Sequence, residues 1–175
     1  YRSFNTVMSG VAAISATAFH VSARGETERL LGELVSGDYF SVLGTAAAEG
    51  RLLTLADEQD SGAAPVAVIS HRLWLRRFGG DPDVVGRVIR LNHVLHTIVG
   101  VLPPGFRGLS GEAQFWIPVM TMPADELSQK WSHMFYLLAR RQPGVSEEQA
   151  RQAVSQIGRT VDAEIPETSG RGHLG

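Results

Sequence analysis

The sequence predicts an α+β fold in which the two ends of the chain pack together and a strand-rich middle is inserted between them. Three observations lead there. Residues 65–106 (PVAVISHRLWLRRFGGDPDVVGRVIRLNHVLHTIVGVLPPGF) read as strand, helix, turn, strand, tight turn, strand. Ser146-Glu147-Glu148-Gln149 is a capping box opening a helix that carries Ala150, Ala153, Val154, Ile157 and Val161 at helical spacing. Ahead of both, Val11–Val21 reads as a strand by partial alternation, and Glu28–Val35, helix or strand by periodicity, is favoured as its paired strand by its place between Gly25 and Ser36-Gly37.

Within the middle, Pro65–Ile69 is a short apolar run with β-branched residues, the profile of a buried strand. Ser70 caps a helix whose Trp74 and Phe78 lie four apart on one face, and Gly79 supplies a left-handed stop. Asp81-Pro82 restarts a helical turn, with the proline where its missing N–H costs nothing. Arg87–Leu91 and Val94–Val101 form a hairpin across Asn92-His93, whose first residue tolerates positive φ. Upstream, residues 36–44 predict a short helix that ends at Gly44 and turns Tyr39, Phe40 and Leu43 inward. Thr45–Ala64 reads mostly as loop, with an acidic cluster at Asp57-Glu58-Gln59-Asp60 and a turn at Ser61-Gly62.

Downstream, Pro103-Pro104-Gly105 breaks the chain and Arg107–Gln114 is a Gly-rich connection. Phe115–Val119 reads as a short strand with an edge-limiting proline. Met122–Lys130 has room for one or two helical turns. His133–Arg141 is a strand by its aromatic and apolar content, with a helix the open alternative. Pro166 ends the last helix, and residues 167–175 read as a frayed tail.

A chain of 175 residues buries about 70% of its unfolded surface, enough for one good core or two small ones. Its 43% hydrophobic and 19% charged content is that of a globular protein and not of a disordered tail. The net charge of −2 supplies no global field toward nucleic acid or anionic lipid, and the arginines are dispersed. The absence of cysteine excludes disulfides and cysteine-based zinc sites. Ser3–Ala23 carries no Asp, Glu, Lys or Arg, yet it is too rich in Ser, Thr, Asn and Gly for a membrane span. No basic segment precedes a compact apolar core, so a signal peptide is not expected. The start at Tyr1, without an initiator Met, leads us to expect an excised fragment whose targeting and anchoring parts lie outside it.

The motifs that invite chemistry stop short of it. His93-x-x-His96 is the only close pair among six histidines and lacks a third ligand, so hairpin histidines are the better reading. Asp57–Gly62 faintly resembles a calcium loop but has Val68 where the bidentate Glu belongs. Gly108-Leu109-Ser110-Gly111-Glu112 is one residue from a nucleophile elbow, with Glu112 replacing the required Gly. Arg72, Arg76, Arg77, Arg87 and Arg90 suggest a basic face, but without interleaved aromatics they read as solvated charges and not as a nucleic-acid surface. Trp74, Phe78, Phe106 and Trp116 read as core; an aromatic substrate patch is the sharper alternative. No catalytic, cofactor-binding or metal-binding residue is assigned, and no cofactor or enzyme activity is expected.

A family likeness rests on phrases spread over nearly the whole chain, from about residue 4 to residue 170. They run Val35-Ser36-Gly37-Asp38-Tyr39-Phe40-Ser41-Val42-Leu43-Gly44 and Glu49-Gly50-Arg51, then Pro65–Ser70, Leu73-Trp74, Arg77–Pro82 and Val85-Gly86. Leu91-Asn92, Ile98–Val101, Pro104-Gly105-Phe106, Trp116-Ile117-Pro118 and Pro143–Ser146 complete the set. In this order and spacing they resemble the periplasmic core domain of MacB/FtsX-type ABC-transporter permeases, particularly the duplicated, stand-alone ones. One departure is the turn Asn92-His93, where relatives usually read Asn-Gly.

The resemblance implies a domain outside the inner membrane, between the first and second transmembrane helices of a permease. It implies a porter-like α/β subdomain, mapped to Tyr1–Val35 plus Met122–Gly175, and an inserted, mostly β Sabre-like subdomain, mapped to Ser36–Thr121. It implies partners as well: an ABC ATPase subunit reached through the membrane part, a second permease half or homodimer, and a periplasmic partner protein. The expected function is non-catalytic transmission of helix motion to a substrate or partner. The alternative is an independent extracytoplasmic module that captures a peptide or lipid-modified substrate in an apolar cleft between subdomains. The transmission reading requires residues near Arg2 and Ile165 to lie on one face.

Overall fold

The computed structural model of the chain describes residues 7–23, 26–59, 65–121 and 135–164. The helical turns expected within 122–130, the turn at Ser61-Gly62, the tail 167–175 and the positions of Arg2 and Ile165 lie outside the described residues. Val11–Leu138 forms one compact unit; Tyr1–Gly10 with Ala139–Gly175 forms another.

The larger unit is built on a ring of strands. Strand β1 (Met8–Ala23) pairs antiparallel with β2 (Glu26–Val35) over ten residue pairs, from Ile14↔Val35 to Ala23↔Glu26. Both strands run longer than alternation alone delimits. Next come helix α1 (Tyr39–Leu43), strand β3 (Glu49–Gly50), a helical turn α2 (Ala56–Gln59), strand β4 (Val66–Ile69) and helix α3 (His71–Phe78). A 3-10 turn at Pro82–Val84 leads into β5 (Val88–Leu91), β6 (Val94–Val101) and β7 (Phe115–Pro118). The pairing path runs β2-β7-β4-β6-β5-β1, and the β1–β2 pair closes it. Two of the pairs, β2–β7 and β4–β6, are parallel and the others antiparallel.

Strands β4 and β7 are covered on both faces, which is why they read as unbroken apolar runs and not as alternating ones. Ala67 and Ile69 join one buried cluster with Leu73, Phe78, Ile89, Ile98, Phe115 and Ile117. Val68 and Trp116, their neighbours along the same strands, join a second cluster with Tyr39, Phe40, Val35 and Leu102. The wall of strands thus separates two cores. Expectation and structure differ at Pro118: β7 is an interior strand, not an edge. The proline is tolerated because pairing with β4 stops at Trp116, so its missing N–H faces no acceptor there.

Local signals set the helices. Ser70 Oγ accepts from the Leu73 amide at 3.0 Å, and α3 ends at Gly79, at φ 66°, whose amide donates to the Leu75 carbonyl while the Gly80 amide donates to that of Trp74. The Trp74 indole donates to the Asp81 carbonyl at 2.8 Å, tying α3 to the following turn, where Asp81 accepts from the Asp83 amide. Gly44, at φ 70°, ends α1. The supposed loop 45–64 is partly ordered by a pattern too short to read in sequence. Arg51 clamps Asp57 with two guanidinium nitrogens at 2.8 and 2.7 Å, and Asp57 also accepts from the Thr54 amide, starting α2. At the β5–β6 turn only Asn92 has positive φ, 54°, so the geometry is not the two-positive type I′. Asn92 instead fastens the turn to β1, its Oδ1 accepting from the His20 amide and its own amide donating to the His20 carbonyl.

In the smaller unit Ser9 Oγ donates to the carbonyl of Arg140 at 3.2 Å, on strand β8 (Tyr136–Arg141), and the Gln142 amide donates to the Val7 carbonyl. The strand reading of 133–141 therefore holds over its described part. Helix α4 (Glu147–Glu164) opens with the expected reciprocal box: the Ser146 amide donates to Gln149 Oε1 and the Gln149 amide to Ser146 Oγ. Ala150 is buried, whereas Val154, expected on the same face, is half-exposed.

His96 is a buried polar residue of β6, 3% exposed, with Nδ1 3.2 Å from the Val94 carbonyl and Nε2 without a partner. Burial holds its imidazole below the usual histidine range, a trend the Val94 contact only partly offsets. The unfolded chain therefore takes up this proton more readily than the folded one. Stability from this source is full above the unfolded value of about 6.5 and falls as pH drops through it toward the folded value. We expect His96→Leu to flatten the loss of urea-unfolding free energy between about pH 7.5 and 5.5 relative to the parent chain. Parallel pH curves for the two proteins would contradict this.

Candidate functional site

The loop between β6 and β7 exposes Arg107, Leu109, Ser110, Gly111 and Glu112, and one carboxyl group organises it. Glu33 of β2 is fully buried. Its Oε2 accepts from the Tyr39 hydroxyl at 2.7 Å and from the Trp116 indole at 2.6 Å, and its Oε1 accepts from the Ser110 amide at 2.8 Å. The Leu109 amide donates in turn to the Tyr39 oxygen at 3.3 Å. Gly108 sits against the Glu33 carboxyl at φ 70°, where a Cβ would collide with both carboxyl oxygens. Burial first, and then the neighbouring Glu33, push the Tyr39 phenol well above its ordinary range, so it remains a proton donor to the carboxyl.

Aromatic rings enclose this network. Phe40 and Phe106 pack on Trp116 at centroid distances of 6.2 and 5.4 Å, and Tyr39 packs edge-on to Phe40 at 5.1 Å. Of the four aromatics singled out in the sequence, Phe78 and Trp116 are buried, while Trp74 and Phe106 are partly buried against the clusters. The elbow-like run 108–112 is the segment held by Glu33: Ser110 serves it through its backbone amide.

Beside the anchored loop lies a cleft of about 440 Å³ within the larger unit. Three elements bring cations to it: Arg29 from β2, Arg72 from α3 and Arg107 from the loop, with Glu112 as the carboxylate on its lining. Its floor is fixed by backbone bonds, with the Gln114 amide donating to the Leu31 carbonyl and the Ser70 amide to the Gln114 carbonyl. An adjoining shallow groove shares His71, Arg72 and Gly105. With three guanidinium groups on its lining, this is not the large apolar pocket that a peptide-capture module requires.

The basic face read from the sequence divides. Arg76 and Arg77 both bind Glu28, at 2.8 and 2.9 Å, and Arg76 also donates to Gln114 Oε1. Burial pushes the Glu28 carboxyl up, but hydrogen bonds from Arg77 and Arg76 outweigh it and leave the group below its usual range. Arg87 pairs with Asp81. Arg72 alone of the five lines the cleft; Arg90 lies on β5 and is not part of the lining. His93 is exposed at the turn and His96 buried, so the pair does not share an environment. Among the described residues no cluster of three His, Asp or Glu residues suits a metal. Sequence reasoning missed Glu33, Arg29 and Arg107. A lone acidic residue between Gly32 and Leu34-Val35, in an otherwise apolar strand end, was the available signal for the first.

A family model described as the MacB-like periplasmic core domain matches residues 2–157. The chain is similar to the macrolide export ATP-binding/permease protein MacB of Salmonella paratyphi A, 30% identical over 125 residues that cover 70% of this chain and 19% of that protein. The MacB of Escherichia coli K12 matches to the same extent. The chain spans about a fifth of the length of these curated relatives (19%). In fold it is similar to the extracellular domain of the noncanonic ABC-type transporter YknZ from Gram-positive bacteria, with a TM-score of 0.67 and 16% identity over 91% of this chain and 77% of that one. It is likewise similar to the periplasmic region of MacB from Actinobacillus actinomycetemcomitans, with a TM-score of 0.68 and 15% identity over 94% and 79%.

Proposed function

The chain belongs to the MacB-like periplasmic core domain family, and from that premise we propose that it is the extracytoplasmic part of an ABC-transporter permease, relaying membrane-helix motion to a substrate or partner protein without catalysing a reaction. The family match over residues 2–157 carries this reading. A relay must be stiff, and the closed ring of strands, two of them covered on both faces, together with the Glu33 anchor, supports that requirement. No helix among the described residues is long and apolar enough to cross a membrane. The anchoring helices therefore belong, in this reading, to parts of a parent protein beyond the described segment. So does the contact with an ABC ATPase. A second permease half or homodimer and a periplasmic partner complete the assembly, on the periplasmic face of the inner membrane. The division into a porter-like part (1–35 plus 122–175) and a Sabre-like part (36–121) belongs to the same proposal.

Two measurements on the parent protein test it. Alkaline phosphatase inserted in the exposed turn at Asn92-His93 is expected to be active, and green fluorescent protein at the same point dark; the reverse pattern places the domain in the cytoplasm and ends the proposal. Replacing the connections to the membrane helices by flexible Gly-Ser linkers of about 20 residues is expected to leave ATP hydrolysis and to reduce export at least tenfold. Undiminished export would remove the relay while leaving the location intact.

A further inference from the structure

Most arginine side chains among the described residues have a partner. Among the described residues Arg51, Arg76, Arg77, Arg87 and Arg151 hold carboxylates, and Arg141 donates to the Val145 carbonyl. Arg29, Arg72 and Arg107 are exposed and have neither a carboxylate nor a carbonyl partner among the described residues, although α3 supplies both Arg72 and the paired Arg76 and Arg77. These three line the same 440 Å³ cleft, from three separate elements, against one carboxylate, Glu112. In a chain of net charge −2 that is a local reversal of sign.

The framework around the three is held in place. Arg107 leaves the loop just before Gly108, which abuts the Glu33 carboxyl, and the Ala113 amide closes the loop onto the Arg107 carbonyl at 3.1 Å. Arg72 stands in the first turn of α3, whose Ser70 cap is bonded to Gln114 on the cleft floor. Arg29 lies on β2 four residues before Glu33, opposite His20 in the β1–β2 pairing. His71, beside Arg72, is steadied edge-on against Trp74 at 5.2 Å. Three guanidinium groups against one carboxylate leave the lining net positive, and a concave site between low-dielectric walls concentrates that field. A guanidinium presents paired N–H donors that match the oxygens of a carboxylate or phosphate.

We propose that this cleft is an oxyanion site, taking the carboxylate or phosphate group of a small ligand between Arg29, Arg72 and Arg107. The volume suits a small molecule. The site stands apart from the relay function and does not depend on it.

The test is calorimetric titration of the 175-residue chain with inorganic phosphate and, separately, with citrate, in a chloride buffer at low ionic strength. Saturable one-site binding of at least one of them is expected, and the stronger of the two identifies the preferred group. Arg72→Gln, and the pair Arg29→Gln with Arg107→Gln, should each weaken it at least tenfold. Because these side chains are exposed and unpaired, thermal melting should be unchanged, which separates lost binding from lost folding. Arg90→Gln, which removes an exposed arginine that does not line the cleft, should leave binding as it was. Absence of saturable binding by both anions up to about 10 mM would overturn the proposal. So would equal weakening by Arg90→Gln, or full binding in the cleft variants.

Discussion

Glu33→Ala is expected to lower the unfolding free energy by about 3–5 kcal/mol, a large share of the roughly 5–15 kcal/mol available to a domain. The substitution removes the acceptor of three donors at once: the Trp116 indole, the Tyr39 hydroxyl and the Ser110 amide. Each buried group left without a partner costs about 1–3 kcal/mol, and water entering the vacated space recovers only part of that. Glu33→Gln should cost less, because the amide keeps one acceptor oxygen while turning an NH₂ toward a donor. Urea unfolding of the two variants checks the order, and the tryptophan emission should shift to the red in Glu33→Ala. A loss below about 1 kcal/mol in the alanine variant would mean that the carboxyl is not the loop's anchor.

Gly100→Ala should cost about 2–3 kcal/mol, near the upper range for overpacking by one methyl. Pairing of β4 with β6 skips Val99, from Ala67↔Ile98 to Val68↔Gly100, and Gly100 also faces Gly50 of β3. A Cβ there would meet the carbonyl of Arg51, which is backbone and cannot swing aside. The strain falls on β3, so the bonds from the Ala48 amide to Val101 and from the Arg51 amide to Val99 are the ones expected to open. Hydrogen exchange at those two amides should accelerate far more than at Val68 or Ile69. Retained protection at both, with a stability change within about 0.5 kcal/mol, would refute the close approach.

What could be read from the sequence was local. The Ser70 cap, the Gly79 stop, the hairpin of β5 and β6, and the capping box at Ser146 each depend on chemistry within four residues, and each appears where its signal stands. The misses share a different cause. The parallel pairing of β2 with β7 joins residues 83 positions apart, as the Trp116–Glu33 bond does, and no local pattern encodes it. For the same reason Pro118 suggested an edge strand: the side on which its N–H is missing becomes apparent only once β4 is known to end its pairing at Trp116. β3 and α2, two and four residues long, are too short to repeat a hydrophobic period. The cleft was hidden because Arg29, Arg72 and Arg107 are far apart in sequence and each alone resembles an ordinary solvated charge. The family likeness, by contrast, was legible, since it rests on many short phrases in a fixed order, and the match over residues 2–157 agrees with it.

The closure of the strand path has a practical corollary for any protein that approaches this domain. In the ring β1-β2-β7-β4-β6-β5 every strand has neighbours on both sides, and β6 is flanked by β5 along one part and β3 along another. Along the described stretches where these pairs form, the amides and carbonyls are already engaged, so a visiting peptide cannot add as a strand there. Recognition at those paired stretches has to be written in side chains and turns, and the same pairing keeps them from zipping onto copies of the molecule.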